Sequence, residues 1–193
     1  LNGGDGLDTA SYAGVNNSVA VNLALTGTQA TGAGGFDELI AVEHLIGGSG
    51  ADHLLGNGGA NRIDGGDGDD LIDGGPGNDT LLGGNHQAGD RLSYAMATAG
   101  VKVSLAISSS QNTGGAGSDL LNSFEHLLGS HFNDNLSGNT AANQLEGGAG
   151  NDTLQGGGGA DRLLGGDGTD LFMYANLSDA GNGSGSRDLI SDW

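Results

Sequence analysis

Apolar and polar residues alternate along this chain in units of nine. The clearest run reads GGSGADHLL, GNGGANRID, GGDGDDLID and GGPGNDTLL, from Gly47 to Leu82, and a second run begins at Gly129. Across eleven such units the sixth residue is Asp nine times and Asn twice, and the eighth is always Leu, Ile or Phe. Such a unit suits a turn followed by a short strand, in which the middle residue points to one side and its neighbours to the other.

The eighth positions are therefore predicted to point inward as stacked ladders. Two units make one coil, so equivalent residues two units apart should lie about 4.8 Å from each other. The predicted inward residues are Leu54, Ile63, Ile72, Leu81, Leu136, Leu145, Leu154 and Leu163. The pattern predicts an all-β fold, a parallel β-solenoid of stacked coils.

A longer repeat encloses the short one. Asp8 to Gly66 realigns without a gap on Asp90 to Gly148, which matches Tyr12 with Tyr94 and His44 with His126. We therefore divide the chain into a first superrepeat (residues 1–89), a second superrepeat of the same solenoid (90–170) and a C-terminal capping segment (171–193).

Two stretches depart from the nine-residue pattern, Thr9 to Thr31 and Arg91 to Thr113. Apolar residues alternate there over longer strands: Val19, Val21, Leu23 and Leu25 in the first, and Val101, Val103, Leu105 and Ile107 in the second. We expect wider coils that continue the solenoid, because either stretch is short for the alternative, a separate core.

The C-terminal tail brings together bulky residues that the repeats lack. These are Phe172, Tyr174, Leu189, Ile190 and Trp193. An open solenoid end exposes strand edges and core, so the tail is predicted to cover it. Because the chain opens in mid-repeat and stops abruptly, we expect it to be a piece of a longer protein.

Charge and composition narrow the choice of partner. The 193 residues carry 24 acidic and 5 basic side chains, a net charge of -19, and 42 glycines. Nucleic acid and anionic membranes are poor partners for such a chain. The sequence contains no cysteine and no apolar run long enough to span a bilayer. A disordered acidic linker remains an alternative for the metal-free state, but it gives no reason for two strict registers.

The combination of glycine and aspartate points to a metal. Glycine permits turns of positive φ with carbonyl oxygens directed inward. Stacked aspartates at most about 6 Å apart would repel one another without a cation. Oxygen ligands without His or Cys in the repeat favour Ca²⁺ over zinc or copper, while Mg²⁺ prefers to keep its waters. About eight such ions would bring roughly +16 against the net charge of -19.

The units resemble GGxGxDxUx, the nonapeptide of RTX proteins with hemolysin-type calcium-binding repeats. This resemblance implies a right-handed parallel β-roll in which each calcium lies between a turn and the turn two repeats later. It also implies a bacterial protein, secreted or at the cell surface, that leaves the cell unfolded by type I secretion and folds on external calcium. The secretion signal would then lie beyond Trp193.

The resemblance assigns calcium ligands by position. Pairs two units apart are Asp52–Asp70, Asn61–Asp79, Asp134–Asp152, Asn143–Asp161 and Asp152–Asp170. The spacing of Asp70 and Asp90 is longer because GGNHQAGD carries two additional residues, and the pairs Asp37–Asp52 and Asp119–Asp134 are more closely spaced. Turn carbonyls are expected from glycines such as Gly65, Gly74, Gly147 and Gly156. The total is about six to eight Ca²⁺ ions, with weaker binding where Asn replaces Asp.

No catalytic arrangement accompanies these residues. G-x-S-x-G and H-E-x-x-H are absent, and His44 and His126 are expected to be ordinary strand residues. We therefore interpret the chain as a calcium-binding module, not an enzyme, that folds outside the cell and supports export and stability of the rest of a larger protein. Alternatives are a module that binds extracellular polysaccharide, as in mannuronan epimerases with similar repeats, and an adhesin spacer. Few basic residues are available for an acidic glycan: Arg62, Arg91, Lys102, Arg162 and Arg187.

Overall fold

The structure is a computed structural model that describes residues 1–176, 179 and 187–191. It is all-β, with one 3-10 turn at Gly32–Gly34 and no α-helix among these residues. The strands are β1 Thr9–Ser11, β2 Ala20–Asn22, β3 Thr28–Ala30, β4 Phe36–Glu38, β5 His44–Ile46, β6 His53–Leu55, β7 Arg62–Asp67, β8 Leu71–Asp73, β9 Thr80–Asn85, β10 Arg91–Ser93, β11 Lys102–Ser104, β12 Gln111–Gly114, β13 Gly117–Asn122, β14 His126–Leu128, β15 Asn135–Ser137, β16 Gln144–Ala149, β17 Thr153–Gln155, β18 Arg162–Asp167, β19 Leu171–Phe172 and β20 Leu189–Ile190. Most strands are short, as the nine-residue pattern predicts.

Parallel pairing between equivalent residues of every second unit defines the coils. Leu45 pairs with Ile63 and Leu54 with Ile72 in the first superrepeat, and the same register joins β14, β16 and β18 in the second. Strands β8 and β10 also pair in parallel, although the loop between β9 and β10 carries two additional residues. The parallel sheets are consistent with a β-roll.

Successive strands of a coil alternate between two faces. One face is an eight-stranded sheet in the order β2-β6-β8-β10-β14-β16-β18-β20. The other consists of a six-stranded sheet, β1-β5-β7-β9-β13-β12, followed by a four-stranded sheet, β11-β15-β17-β19. The core lies between the faces, and each short strand contributes its central side chain to it.

The predicted inward ladder is confirmed. All eight predicted residues, Leu54 to Leu163, have no exposed surface. Leu45 extends the ladder before them, and Leu92 and Leu127 extend it between Leu81 and Leu136. A strand stabilised by one buried side chain per coil depends on its neighbours above and below.

The two stretches outside the nine-residue pattern do continue the solenoid. Thr9 pairs with His44 and Arg91 with His126, in the same parallel register. Each stretch also leads into an antiparallel hairpin, β3–β4 or β12–β13, that the sequence analysis did not predict.

The strands in these stretches are shorter than expected. Val19, Val21, Val101 and Val103 are buried, but Leu25 is 49 % exposed and Ile107 41 % exposed. Both exposed residues follow a turn that ends the short strands β2 and β11, so the alternation does not reach them.

The two superrepeats are displaced by half a coil. Strands β1, β5, β7 and β9 form one face, whereas their equivalents β10, β14, β16 and β18 belong to the opposite, eight-stranded face. If the hairpin β3–β4 is left out, the chain passes from one face to the other an odd number of times between β1 and β10. Strand β10 therefore lies on the face opposite to β1.

The tail adds strands to both faces. Leu171 and Phe172 pair with β17, and Leu189 and Ile190 pair with β18. Phe172 and Ile190 pack against the core, while Tyr174 is 41 % exposed. Trp193, which we assigned to the cap, lies outside the described residues.

Within the described part of the chain, no helix has the length and apolar character needed to cross a lipid bilayer.

Candidate metal centres

Carboxylates stack in ladders along the edges of the coils, each just before a strand. Each accepts a hydrogen bond from the backbone N–H of the equivalent residue in the coil before it. Asp52 N donates to Asp70 Oδ1 at 2.8 Å, and Asp70 N donates to Asp90 Oδ1 at 2.8 Å. The same bond joins Asn61 to Asp79, Asp134 to Asp152, Asn143 to Asp161, and Asp152 to Asp170. The structure thus brings together all five pairs expected two units apart, and the more widely spaced pair as well.

The second carboxylate oxygen is the unusual part of this arrangement. In the described chain, Oδ2 is buried and lacks a hydrogen bond in eight aspartates: Asp8, Asp70, Asp79, Asp90, Asp152, Asp161, Asp170 and Asp188. A buried carboxylate oxygen without a partner costs free energy, since it has lost its hydration. A row of such atoms is what a cation would satisfy.

Backbone carbonyls converge on the same places. A Cβ added to Gly65 would overlap both Asp70 Oδ2 and the carbonyl oxygen of Gly83, one coil further on. Gly147 lies in the same way between Asp152 Oδ2 and the carbonyl of Gly165. The first residue of each of these units is therefore glycine because two oxygen atoms occupy the space beside it.

The carbonyls of the other predicted turn glycines face the preceding coil as well. A Cβ on Gly56 would meet the carbonyl of Gly74, and one on Gly138 would meet that of Gly156. The positive φ that we expected belongs to the second and the fourth residue of several units, as in Gly66 with φ 96° and Gly68 with φ 130°. Hard carboxylate and carbonyl oxygens in one cluster are the ligand set of Ca²⁺.

Burial raises the pKa of the stacked carboxyls. It raises the pKa of Asp70 and Asp79 to about 7, and that of Asp152 and Asp161 to about 6, with neighbouring carboxylates adding to the rise. The pKa of Asp90 is also raised by burial. Without a cation these groups favour protons, so calcium and protons compete for the same oxygens.

Asn61 and Asn143 have a structural reason to be amides. Asn61 Nδ2 donates to the carbonyl of Glu43 at 2.8 Å, and Asn143 Nδ2 donates to that of Glu125 at 3.0 Å. A carboxylate could not donate this hydrogen bond. Each Asn thus joins the ladder to a coil that lacks a complete glycine turn.

The expected pairing of Asp37 with Asp52, and of Asp119 with Asp134, differs from the structure. Asp52 accepts from Val19 N at 2.8 Å, and Asp134 accepts from Val101 N at 2.7 Å. Asp119 instead follows Asp79, whose N–H donates to its Oδ1 at 3.0 Å. The hairpins change which residues stack, because they insert chain between the coils.

Hydroxyl groups hold Asp37 and Asp119. Tyr94 donates to Asp119 Oδ2 at 3.0 Å, and Thr113 donates to the same oxygen at 3.2 Å. Asp37 accepts in the same way from the hydroxyls of Tyr12 and Thr31. Burial, together with the nearby Asp119 carboxylate, also raises the pKa of Tyr94.

The ladders contain residues that we did not predict. Asp188 accepts from Asp161 N at 3.0 Å, Glu125 accepts from Asp90 N at 3.0 Å, and Glu43 accepts from Asp8 N at 3.0 Å. The sequence could have indicated them, since each of these acids stands two residues before an apolar residue. This is the spacing of the sixth and eighth positions of the nine-residue unit. They were missed because no glycine turn of the usual pattern precedes them.

Stacked short strands, oxygen ladders and glycine carbonyls define a calcium-binding repeat solenoid. Residues 44–85 and 129–172 match the family of RTX calcium-binding nonapeptide repeats, in four copies. These two stretches are RTX repeats, and RTX repeats bind calcium. No curated protein matches the chain.

Proposed function

We propose that calcium binds along the carboxylate ladders and that this binding folds the chain. The observation that carries the proposal is the set of buried Oδ2 atoms without a hydrogen bond in the described chain. Calcium would convert this cost into ligand bonds, and the unfolded chain has no preformed site, so the binding free energy becomes folding free energy.

The individual sites follow from the ladders. Each site takes the free Oδ2 of one aspartate and the glycine carbonyl of the next coil, as at Asp70 with Gly83 and at Asp152 with Gly165. The total remains about six to eight ions. Asp37 and Asp119 stay outside this set, because tyrosine and threonine hydroxyls already occupy their Oδ2. Asp52 and Asp134 also stay outside it, because their Oδ2 accepts the backbone N–H of Gly48 and of Ser130.

The same properties support a role in export of a larger protein. With a net charge of -19 and 42 glycines, the chain resists compaction while calcium is scarce. It would leave a bacterial cell unfolded through type I secretion and fold as a right-handed β-roll, closed by its tail, where calcium is plentiful. The module would then stabilise the rest of the secreted polypeptide.

Circular dichroism with and without calcium tests this function. We expect a disordered spectrum after chelation at neutral pH and a strand spectrum on addition of calcium to about 1 mM, the range of extracellular calcium modules. Magnesium at equal concentration is the control and should restore less signal. An unchanged strand spectrum after complete chelation would contradict the proposal.

A further inference from the structure

Among the described residues, one step of the ladders differs from the others in having an imidazole nitrogen beside two carboxyl groups. It lies between Asp90 and Glu125, where the two additional residues of the loop GGNHQAGD bring His86 over the coil edge. The first superrepeat has only GGDGLD at this point, so the sequence supplies no histidine for the step between Asp8 and Glu43.

The three side chains are close enough to share one ion. His86 Nδ1 lies 3.1 Å from Glu125 Oε2 and 3.5 Å from Asp90 Oδ2, and the three ligand atoms lie within 4.8 Å of one another. Zinc bonds of about 2.0–2.1 Å in a tetrahedron place neighbouring ligand atoms about 3.3 Å apart. The two histidine distances lie on either side of that value.

The burial of Asp90 indicates that its oxygen is directed at a ligand. Its side chain has no exposed surface, and its Oδ2 has no hydrogen bond. His86 is about one third exposed and Glu125 about one quarter. The cluster therefore combines a fully buried carboxyl group with two side chains that solvent reaches.

The donor atoms favour a different metal from the rest of the ladder. Calcium takes oxygen ligands, whereas an imidazole nitrogen suits zinc and its neighbours in the first transition row. The coil beyond this step also lacks a glycine turn, and Ser123 there has a left-handed backbone conformation with φ 58°. Three protein ligands and one open position are the arrangement of a zinc site that keeps a water.

We propose that His86, Asp90 and Glu125 form a binding site for Zn²⁺ or a similar first-row transition-metal dication, and that Asp90 therefore serves this site and not a calcium site. The site joins the first superrepeat to the second, because His86 lies in the first and Asp90 and Glu125 lie in the second. The same metal would find no equivalent ligand set at Asp8 and Glu43.

Metal titration of the whole chain in saturating calcium tests the site. Zn²⁺ is added in a calorimeter, and Co²⁺ is added in a parallel sample whose visible absorption reports coordination by nitrogen and oxygen. We expect one tight equivalent per chain. His86→Gln retains hydrogen bonding but removes the imidazole, and it should weaken binding at least about tenfold.

His131→Ala is the matched control, since His131 is exposed and lies outside the cluster. It should bind both ions as the parent chain does. Circular dichroism on every sample reports the calcium dependence of folding separately, so a failure of calcium-coupled folding is distinguishable from a failure of this site. Absence of stoichiometric Zn²⁺ and Co²⁺ binding by the folded chain, or equal affinity in His86→Gln, would overturn the proposal.

Discussion

Asp152 offers a sharp test of the calcium ladder, because its two oxygens have separate roles. Oδ1 accepts the N–H of Asp134 at 2.8 Å, and Oδ2 is buried without a partner. Asp152→Asn keeps an oxygen for the hydrogen bond and removes the charge. Asp152→Ala removes both. Asn61 and Asn143 show that the ladder accepts an amide.

The expected losses can be worked out for each variant. A ligand that binds only the folded chain at about one hundred times its Kd contributes about 2.7 kcal/mol to the free energy of unfolding. Asp152→Asn should therefore lose about 2–3 kcal/mol in saturating calcium. Asp152→Ala should lose a further amount of about 1–3 kcal/mol, because the buried N–H of Asp134 is left without an acceptor.

Urea unfolding at two calcium concentrations measures both losses, the one from calcium binding and the one from the hydrogen bond. Near saturation each bound ion adds about 1.4 kcal/mol for a tenfold rise in calcium. Both variants should show a smaller calcium dependence than the parent chain, by about that amount for each ion lost. The free energies of unfolding of Asp152→Ala and Asp152→Asn should differ by the same amount at both calcium concentrations.

Asp167→Asn supplies the control, since it removes one negative charge from an exposed side chain. Its free energy of unfolding should change by less than about 0.5 kcal/mol. The reasoning fails if Asp152→Asn retains the calcium dependence of the parent chain, or if Asp167→Asn loses as much stability.

Three further predictions concern the pH dependence of stability, a substitution in the core and a deletion of the C-terminal tail. Because burial raises the pKa of Asp70 from 3.8 to about 7, the folded metal-free chain binds more protons than the unfolded chain between about pH 4 and 7. Its stability should rise as pH falls through this window, and equal strand signal on the two sides of the window after chelation would contradict this. Leu154→Ala should cost about 2–5 kcal/mol in urea unfolding, because the side chain is fully buried, while the half-exposed Leu25→Ala should cost little. Deletion of residues 171–193 should weaken calcium binding and promote association, seen by calcium titration with light scattering, because it uncovers β17 and β18; unchanged calcium midpoint and mass would count against a capping role.

The strict nine-residue register made the core and most ladder pairs predictable. Burial of Leu54 and Ile72, and the contact of Asp52 with Asp70, follow once two units complete a coil. Some of the turns were predictable too, because glycine at fixed positions allows the positive φ that other residues avoid.

Other contacts depended on chain that does not repeat every nine residues. The hairpin β12–β13 places Asp119 against Asp79, far away in the sequence, and Tyr94 donates to its second oxygen. No local spacing encodes such a contact. Asp188 was missed for a related reason, because it completes the ladder from beyond a segment without the nine-residue pattern.

The half-coil displacement between the superrepeats has a consequence for how such a solenoid can change in length. Removing or duplicating one superrepeat would transfer every later residue to the opposite face, whereas a change of two copies would restore the original side. The buried ladders tolerate either change, since both faces contribute the same apolar residues to the core. A side chain on the surface would lie on opposite faces in successive copies, as His44 and His126 already do. In a longer array of this kind, a flat partner lying along one face would meet the same side chains only at every second copy.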